Sequence, residues 1–508
     1  MKNSKKVNKL WGSAFKESPS DELIAFTGGR DILGTKAVDY KLLPYDIWGS
    51  KVHCVMLLKQ GIIKKADAQK ILSGLINIDA AVKIGEFDLD PQKEDVHTNI
   101  ESALTEKYGI DFAGKLHTAR SRNDQTNLDT RLYLKDQVIL FTQKIADLSE
   151  CLIKQAKIYK ETPIPGFTHH QHAMVTTFGH ILMAFATMTS RDAKRLTNWI
   201  NLYNSNPLGS AASYGTSFPI DQKLTASLLG FNGVDKNSLD FITNRWEPEA
   251  ELAFAIATFM NHLSIIAETL ILFSTPEFGM VKLADKYSTG SSMMPQKKNP
   301  DPLEIIKAKA ALASGTVSSL LGIGKGMMIG YNRDSQWTKY LITDLIDECA
   351  FAPSIMTGIL STLNVNKEKM LYWSEKGFIG ATSLLEKISF TYNIPFRKAK
   401  ILIEKAIKYS KNEDNVDFPA LAKAMTEEGL NFSISKEEVE RWQTPLYVLS
   451  VTSSLGGPGL KSIQISISEL EKEITGIKKW ITNVIDQKEK AKILLKQQIK
   501  DILGGGEK

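Results

Sequence analysis

Apolar residues recur at helical spacing along most of this chain, and the strict alternation that marks a half-buried strand is scarce. The pattern predicts an all-α protein. To about residue 117 the helices are shorter: 46–60 is amphipathic, Gly61 breaks it, and 66–82 resumes it. The longest periodic segments, roughly 127–159, 173–204, 248–274 and 302–321, fall in the middle of the chain, and such helices build an elongated bundle. Beyond about residue 372 comes a smaller helical region with helices at 394–409 and 418–428. A turn-rich SSLGGPG at 453–459 precedes a lysine-rich helix over 463–502 that supercoils or packs on the body, and the terminal GGGEK is expected to fray. We divide the chain into 1–117, 118–372 and 373–508.

One uncharged run, 252–267, is the strongest membrane candidate, but it is too short to span a bilayer and contains Asn261 and His262. A helix buried on most sides within a bundle explains it better. The length of 508 residues suggests about three domains. The formal charge of +6 is mild and gathers at the termini, as in MKNSKKVNK, whereas nucleic-acid binding asks for a denser basic face. Cys54, Cys151 and Cys349 are far apart, without CxxC or Cys/His spacing, so they read as apolar fillers. The first lysines lead into Leu10, Trp11 and Gly12, not into the apolar run of a signal peptide, which predicts a cytoplasmic protein.

The run Gly290 to Pro300, GSSMMPQKKNP, sets hydroxyls, lysines and an asparagine between helical segments. Asp301 is placed to cap the next helix, Pro302 suits its first turn, and Glu304 completes a D-x-x-E arrangement. The positive end of that helix puts Ser291, Ser292, Lys297 and Asn299 where carboxylate charge is stabilised. Alone, such a run is as easily a polar surface loop before a capped helix; the other segments change the balance.

GSSMMPQKKNPD closely resembles the GSSxMPxKxNP signature of the fumarase, aspartase and adenylosuccinate lyase superfamily, whose members release fumarate from succinyl substrates. Five further segments resemble the argininosuccinate lyase branch: KLHTARSRNDQ at 115–125, PGFTHHQHA at 165–173, NPLGSAASYGTSFPID at 206–221, NSLDFITNR at 237–245 and GYNRDSQWTK at 330–339. They keep that family's order, over about residues 10 to 460. The resemblance implies a three-domain lyase fold whose long central bundle tetramerises, with each active site drawn from three chains. It also implies an elimination of arginine from argininosuccinate that uses no cofactor.

Breaking a C–N bond β to a carboxylate needs a base, donors for the resulting dianion and an acid for the departing nitrogen. The resemblance assigns Ser291 as base, His169 as acid and Glu304 as the group orienting that histidine. Lys297 would make a serine alkoxide tolerable. Arg122 and Asn123, with Ser121 beside them, would meet substrate carboxylates, an arginine fork being suited to them. Thr168 and Asn299 would add donors, and Tyr331, Gln336 and Lys339 resemble contacts to the amino-acid end. Asp95 and His97 are second contributors or simply a capped helix start. His169, His170 and His172 do not converge well on a helix and lack an acidic neighbour, so no metal is expected.

The sequence departs from the family at His170, where leucine is common, at Ser335, also commonly leucine, and at Gly29, where many members place a binding serine. Its rivals are a lyase acting on adenylosuccinate, against which HTARSRNDQ argues, and a catalytically silent scaffold of the lens-protein kind. Retention of Ser291, His169, Lys297, Asn299 and Glu304 argues against silence.

Overall fold

The computed structural model describes residues 17, 20, 38–90 and 95–504, so the Gly29 segment, the first lysines and residues 505–508 lie outside the described residues. The principal helices are α1 Asp39–Lys59, α2 Lys65–Ile84, α3 Val96–Tyr108, α4 Arg122–Tyr159, α5 Phe178–Tyr203, α6 Glu247–Ser274, α7 Asp301–Gly324, α8 Thr338–Cys349 and α9 Ala352–Ser361. The smaller unit holds α10 Ala381–Thr391, α11 Phe396–Tyr409 and α12 Phe418–Glu427, and the chain ends in α13 Leu460–Leu503.

Local chemistry sets most helix starts. Ser121 caps α4 in a capping box with Asp124, Thr177 caps α5 through the His180 N–H, and proline stands in the first turn of α6 and α7. Two expectations fail. The helix foreseen from 173 begins at Phe178, because Gln171–Thr177 is a strand, β2, paired antiparallel with β1 Pro163–Thr168. Asp301 is not a cap: Pro300 holds that position with no side-chain bond, and the Asp301 carboxylate accepts from the Thr289 hydroxyl instead.

The remaining strands are two-residue bridges: β3 Ser205–Asn206 beside β4 Gly233–Val234, β5 Val281–Lys282 against β8 Asn364–Val365, and β6 Thr289–Gly290 against β7 Lys298–Asn299.

In the bundle α4 lies along α5, and α6 along both α5 and α7. Its core is continuous with that of α1 to α3, and α13 lays Ile463, Ile467, Leu470, Ile474, Ile477 and Ile481 onto it. Residues of α10 to α12 form a separate core with Val439 and Trp442. Cys54 and Cys349 are buried fillers and Cys151 is half-buried. The apolar window of α6 is only 50% buried inside the chain, less than the sequence suggested, and Phe254 and Ile265 face outward from it. Beside it α7 carries no charge from Ala310 to Gly324 and exposes Leu312, Gly315, Leu321 and Gly322.

Candidate active site

The polar motifs gather at the two ends of the bundle. At one end Arg122 bonds Asp95, the Val96 N–H bonds Asp39, and Asp39 bonds Lys339, a chain of contacts joining the SRND and YNRDSQWTK segments. Gly330 donates to the Thr243 hydroxyl at 2.8 Å, and Gly324 lies so close to Trp246 that a Cβ there would come within 2.6 Å of the ring. The start of α6 and the end of α7 therefore belong to this same end. The other end holds the histidine hairpin, which directly follows α4, and the Ser291 loop, which directly precedes α7. With 38 residues in α4, Arg122 and the hairpin are separated by about 57 Å of helix, and the 24 residues of α7 put about 36 Å between the Ser291 loop and the Tyr331 segment.

At the Arg122 end SRND is a capping turn that also presents chemistry. The Ser121 hydroxyl accepts from the Asn123 N–H and is occupied as the cap. Arg122 Nη1 lies 3.0 Å from Asp95 Oδ2, while Asp95 caps α3 through the Thr98 N–H. His97 is buried: its Nδ1 faces Asp46 Oδ2, its Nε2 lies 2.9 Å from Thr126 Oγ1, and that hydroxyl donates to the Arg122 carbonyl at 2.9 Å. His97 thus holds the α4 start from within.

Asp129 stands 3.6 Å from the same imidazole, with burial and then the Asp46 charge pushing its carboxyl well up, whereas Asp46 is held down against its own burial by His97 and Arg120. The three could ligate a cation, but both nitrogens of the His97 ring are engaged in hydrogen bonds, as in a structural network.

Asp124, buried in the same turn, ties it to a second loop. Its carboxylate accepts from the Ser121, Gly209 and Ala211 N–H groups at 2.9, 3.2 and 2.8 Å, and burial pushes it up to about 6. It clamps the NPLGSAASYG loop, where Ala211 and Ser213 carry φ of 49° and 120°, rare strained conformations for side-chain-bearing residues. Lys339 is buried with its Nζ 2.5 Å from Asp39 Oδ1, while Tyr331 and Gln336 are half-buried nearby in the chain. Arg245, from NSLDFITNR, is buried beside Glu249, whose carboxyl burial lifts to about 7.

At the other end β1 and β2 pair Thr168 with Gln171, leaving His169 and His170 as a two-residue turn. Both have positive φ, 53° and 61°, the conformation of a type I′ hairpin, which histidine adopts at a cost of about 1–2 kcal/mol per residue. Thr168, His169 and His170 are exposed on this turn. His172 instead packs edge-on between Phe167 and Trp373, at 5.2 and 5.9 Å, and its burial lowers its pKa. The histidines therefore point to different tasks.

Ser291 opens the loop between β6 and β7, and its Oγ accepts from the N–H groups of Met293 and Met294 at 3.2 and 2.9 Å. Two backbone donors aimed at one hydroxyl oxygen are what an alkoxide needs. Lys297 is exposed, and neighbouring Lys298 bonds the Leu283 carbonyl at 2.8 Å and Asp285 Oδ1 at 2.5 Å. Glu304 is exposed in the first turn of α7, and within the described residues no hydrogen bond joins it to His169.

The chain thus links Ser121, Arg122 and Asn123 through Asp95 and Asp39 to Lys339 at one end, and places Thr168, His169, Ser291, Lys297, Asn299 and Glu304 at the other end. Sequence reasoning missed the Asp46–His97–Asp129 network, the Asp124 clamp and the two donors on Ser291 Oγ. The first was out of reach because His97 and Asp46 are 51 residues apart. The glycines of NPLGSAASYG were a signal for the second.

A family profile described as a lyase matches residues 18–315. The chain is 40% identical to the argininosuccinate lyase of Carboxydothermus hydrogenoformans, over 79% of this chain and 87% of that protein. It is 38% identical to that of Lactococcus lactis, over 92% of this chain and 99% of that protein. Among solved structures, EDDS lyase in complex with formate superposes with a TM-score of 0.85 at 26% identity, covering 96% of each chain. The class II fumarase of Schistosoma mansoni shares the fold, with a TM-score of 0.68 at 14% identity over 85% of this chain and 95% of that one.

Proposed function

The chain belongs to the argininosuccinate lyase family, within the lyases whose profile it matches, and on that premise we propose how its residues divide the reaction. The activity is the reversible anti β-elimination of argininosuccinate to L-arginine and fumarate in arginine biosynthesis. The Ser291 alkoxide takes the proton from the carbon adjacent to the C–N bond. Charge then builds on the neighbouring carboxylate, where Lys297, Asn299, Arg122, Asn123 and Thr168 donate to it. The C–N electrons leave with the guanidino nitrogen, which takes a proton from His169, and Glu304 orients that imidazole. Tyr331, Gln336 and Lys339 hold the amino-acid end, Lys339 exchanging its Asp39 partner for substrate. Every step runs on side chains and backbone amides.

The observation that carries this assignment is the pair of N–H donors on Ser291 Oγ. A serine is a poor base until its alkoxide is stabilised, and removing one such donor from an oxyanion site typically costs about 100- to 1000-fold in rate.

The helix lengths that separate the two groups of residues support a site built between chains. The working enzyme is a homotetramer in the cytoplasm, with the exposed apolar positions Phe254 and Ile265 of α6 and the uncharged stretch Ala310 to Gly324 of α7 buried between bundles and three chains contributing to each site. We retain 1–117, 118–372 and 373–508 as its domains, with α13 crossing back onto the body. The test is fumarate absorbance on adding argininosuccinate to purified protein, with adenylosuccinate in a parallel cuvette. Fumarate from argininosuccinate alone is the expected result; release from adenylosuccinate alone would reassign the substrate, and silence from a folded tetramer would leave a scaffold.

A further inference from the structure

We propose that Lys298 and Asp285 are positioning residues for the Ser291 loop, their ion pair fixing the strand that aims Lys297 and Asn299 at the substrate. The inference rests on the reading of that loop as catalytic, and it concerns residues that the reading leaves without a role.

Successive side chains of a strand point to opposite faces. Lys298 and Asn299 form β7, so their side chains take opposite faces, while Lys297 stands just before the strand, where its N–H bonds the Met294 carbonyl at 3.1 Å. The two neighbouring lysines differ accordingly. Lys297 is exposed, and Lys298 is tied to the Leu283 carbonyl at 2.8 Å and to Asp285 Oδ1 at 2.5 Å. Anchoring Lys298 on one face fixes the strand's rotation, and with it Asn299 on the opposite face and the point where Lys297 leaves the turn.

The strand's ladder with β6 has two residue pairs, Thr289 with Asn299 and Gly290 with Lys298. The strand borders a cavity of about 450 Å³, lined by Lys298, Asn299, Lys282, Ser288 and Asn364 among others, so close packing does not fix it there. The other side of the ion pair is firm. Asp285 begins a short turn ending in buried Tyr287, whose hydroxyl sits so close to Gly358 of α9 that a Cβ there would lie 1.9 Å from it. Lys298 and Asp285 are only 20% and 17% exposed, so the pair is better shielded from solvent than an ordinary surface bridge. On the neighbouring strand the Thr289 hydroxyl bonds Asp301, and both feet of the loop are therefore held while its tip stays exposed.

The test compares Lys298→Met, Lys298→Arg, Asp285→Asn and Ser291→Ala by steady-state fumarate release, thermal melting and sedimentation. Lys298→Met and Asp285→Asn are expected to lower kcat about 10- to 100-fold, the scale of a displacement near 1 Å. Their KM should stay within about twofold, because the Arg122 end still binds substrate, with melting and assembly unchanged. Lys298→Arg should recover most of kcat. Normal kcat in Lys298→Met and Asp285→Asn beside an inactive Ser291→Ala overturns the positioning role alone. Loss of kcat together with melting temperature or assembly, unrescued by arginine, makes the pair merely structural and also overturns it. An active Ser291→Ala removes the catalytic reading on which the proposal stands.

Discussion

The N–H of Met294 donates to Ser291 Oγ at 2.9 Å, so the loop's own backbone stabilises negative charge on the oxygen proposed as the base. Ser291→Ala removes that atom and leaves the loop's feet untouched. Turnover should fall at least about 100-fold, the lower range for a lost general base, while melting and sedimentation stay as in the parent. A near-normal rate would overturn the serine assignment.

Arg122 Nη1 sits 3.0 Å from Asp95, which orients the guanidinium proposed to meet a substrate carboxylate. Arg122→Lys keeps the charge and loses the planar fork, so KM should rise with a smaller change in kcat. Calorimetric titration of argininosuccinate into a Ser291→Ala, Arg122→Lys double variant isolates binding from turnover. An affinity equal to that of Ser291→Ala alone would make Arg122 structural.

Because the two groups of site residues lie at opposite ends of α4 and α7, variants damaged at different ends should repair one another. Ser291→Ala and Arg122→Ala homotetramers should each be nearly inactive, and unfolding and refolding them together should give hybrids with measurable fumarate release. Each hybrid can assemble a site from one intact end of each parent. No recovery in hybrids shown by sedimentation to be tetrameric would argue for sites closed within one chain.

His53 is 2% exposed, with Nε2 2.8 Å from the Thr118 carbonyl, and burial pushes its pKa down to about 3. The unfolded value is about 6.5. The folded pKa is therefore the lower one, so the stability linked to a neutral His53 is fully present above about pH 6.5 and is lost progressively as pH falls toward about 3, by about 1.4 kcal/mol per pH unit. His53→Gln keeps a donor for Thr118 and cannot titrate. Urea midpoints between pH 6.5 and 4 should fall less steeply in the variant than in the parent, and parallel slopes would contradict the buried-neutral assignment.

Periodicity made the long helices legible because each carries its own apolar face, and their ends were misplaced by a few residues. The histidine hairpin was not legible as strands. What makes 171–177 extended is pairing with 163–168, and no alternation in the segment announces that partner. Asp301 was misread for a related reason: D-x-x-E is a local pattern, and the Thr289 hydroxyl that captures Asp301 arrives from across the loop. The candidate site residues were nominated through resemblance, whereas Lys339 and Asp39, 300 residues apart, form a contact no local pattern encodes.

The last helix has a consequence for how the molecule is made. The chain leaves the main core near Ser374, builds a second core from α10 to α12, and returns with α13 to cover the body. The small unit is thus an excursion between two parts of one larger structure. During synthesis it can fold as soon as it emerges, but the body keeps an apolar strip open to water until the final 44-residue helix is released. Nascent chains halted before Leu460 should therefore be the aggregation-prone species, and a body begun with α1 to α3 is closed only after the small unit has formed.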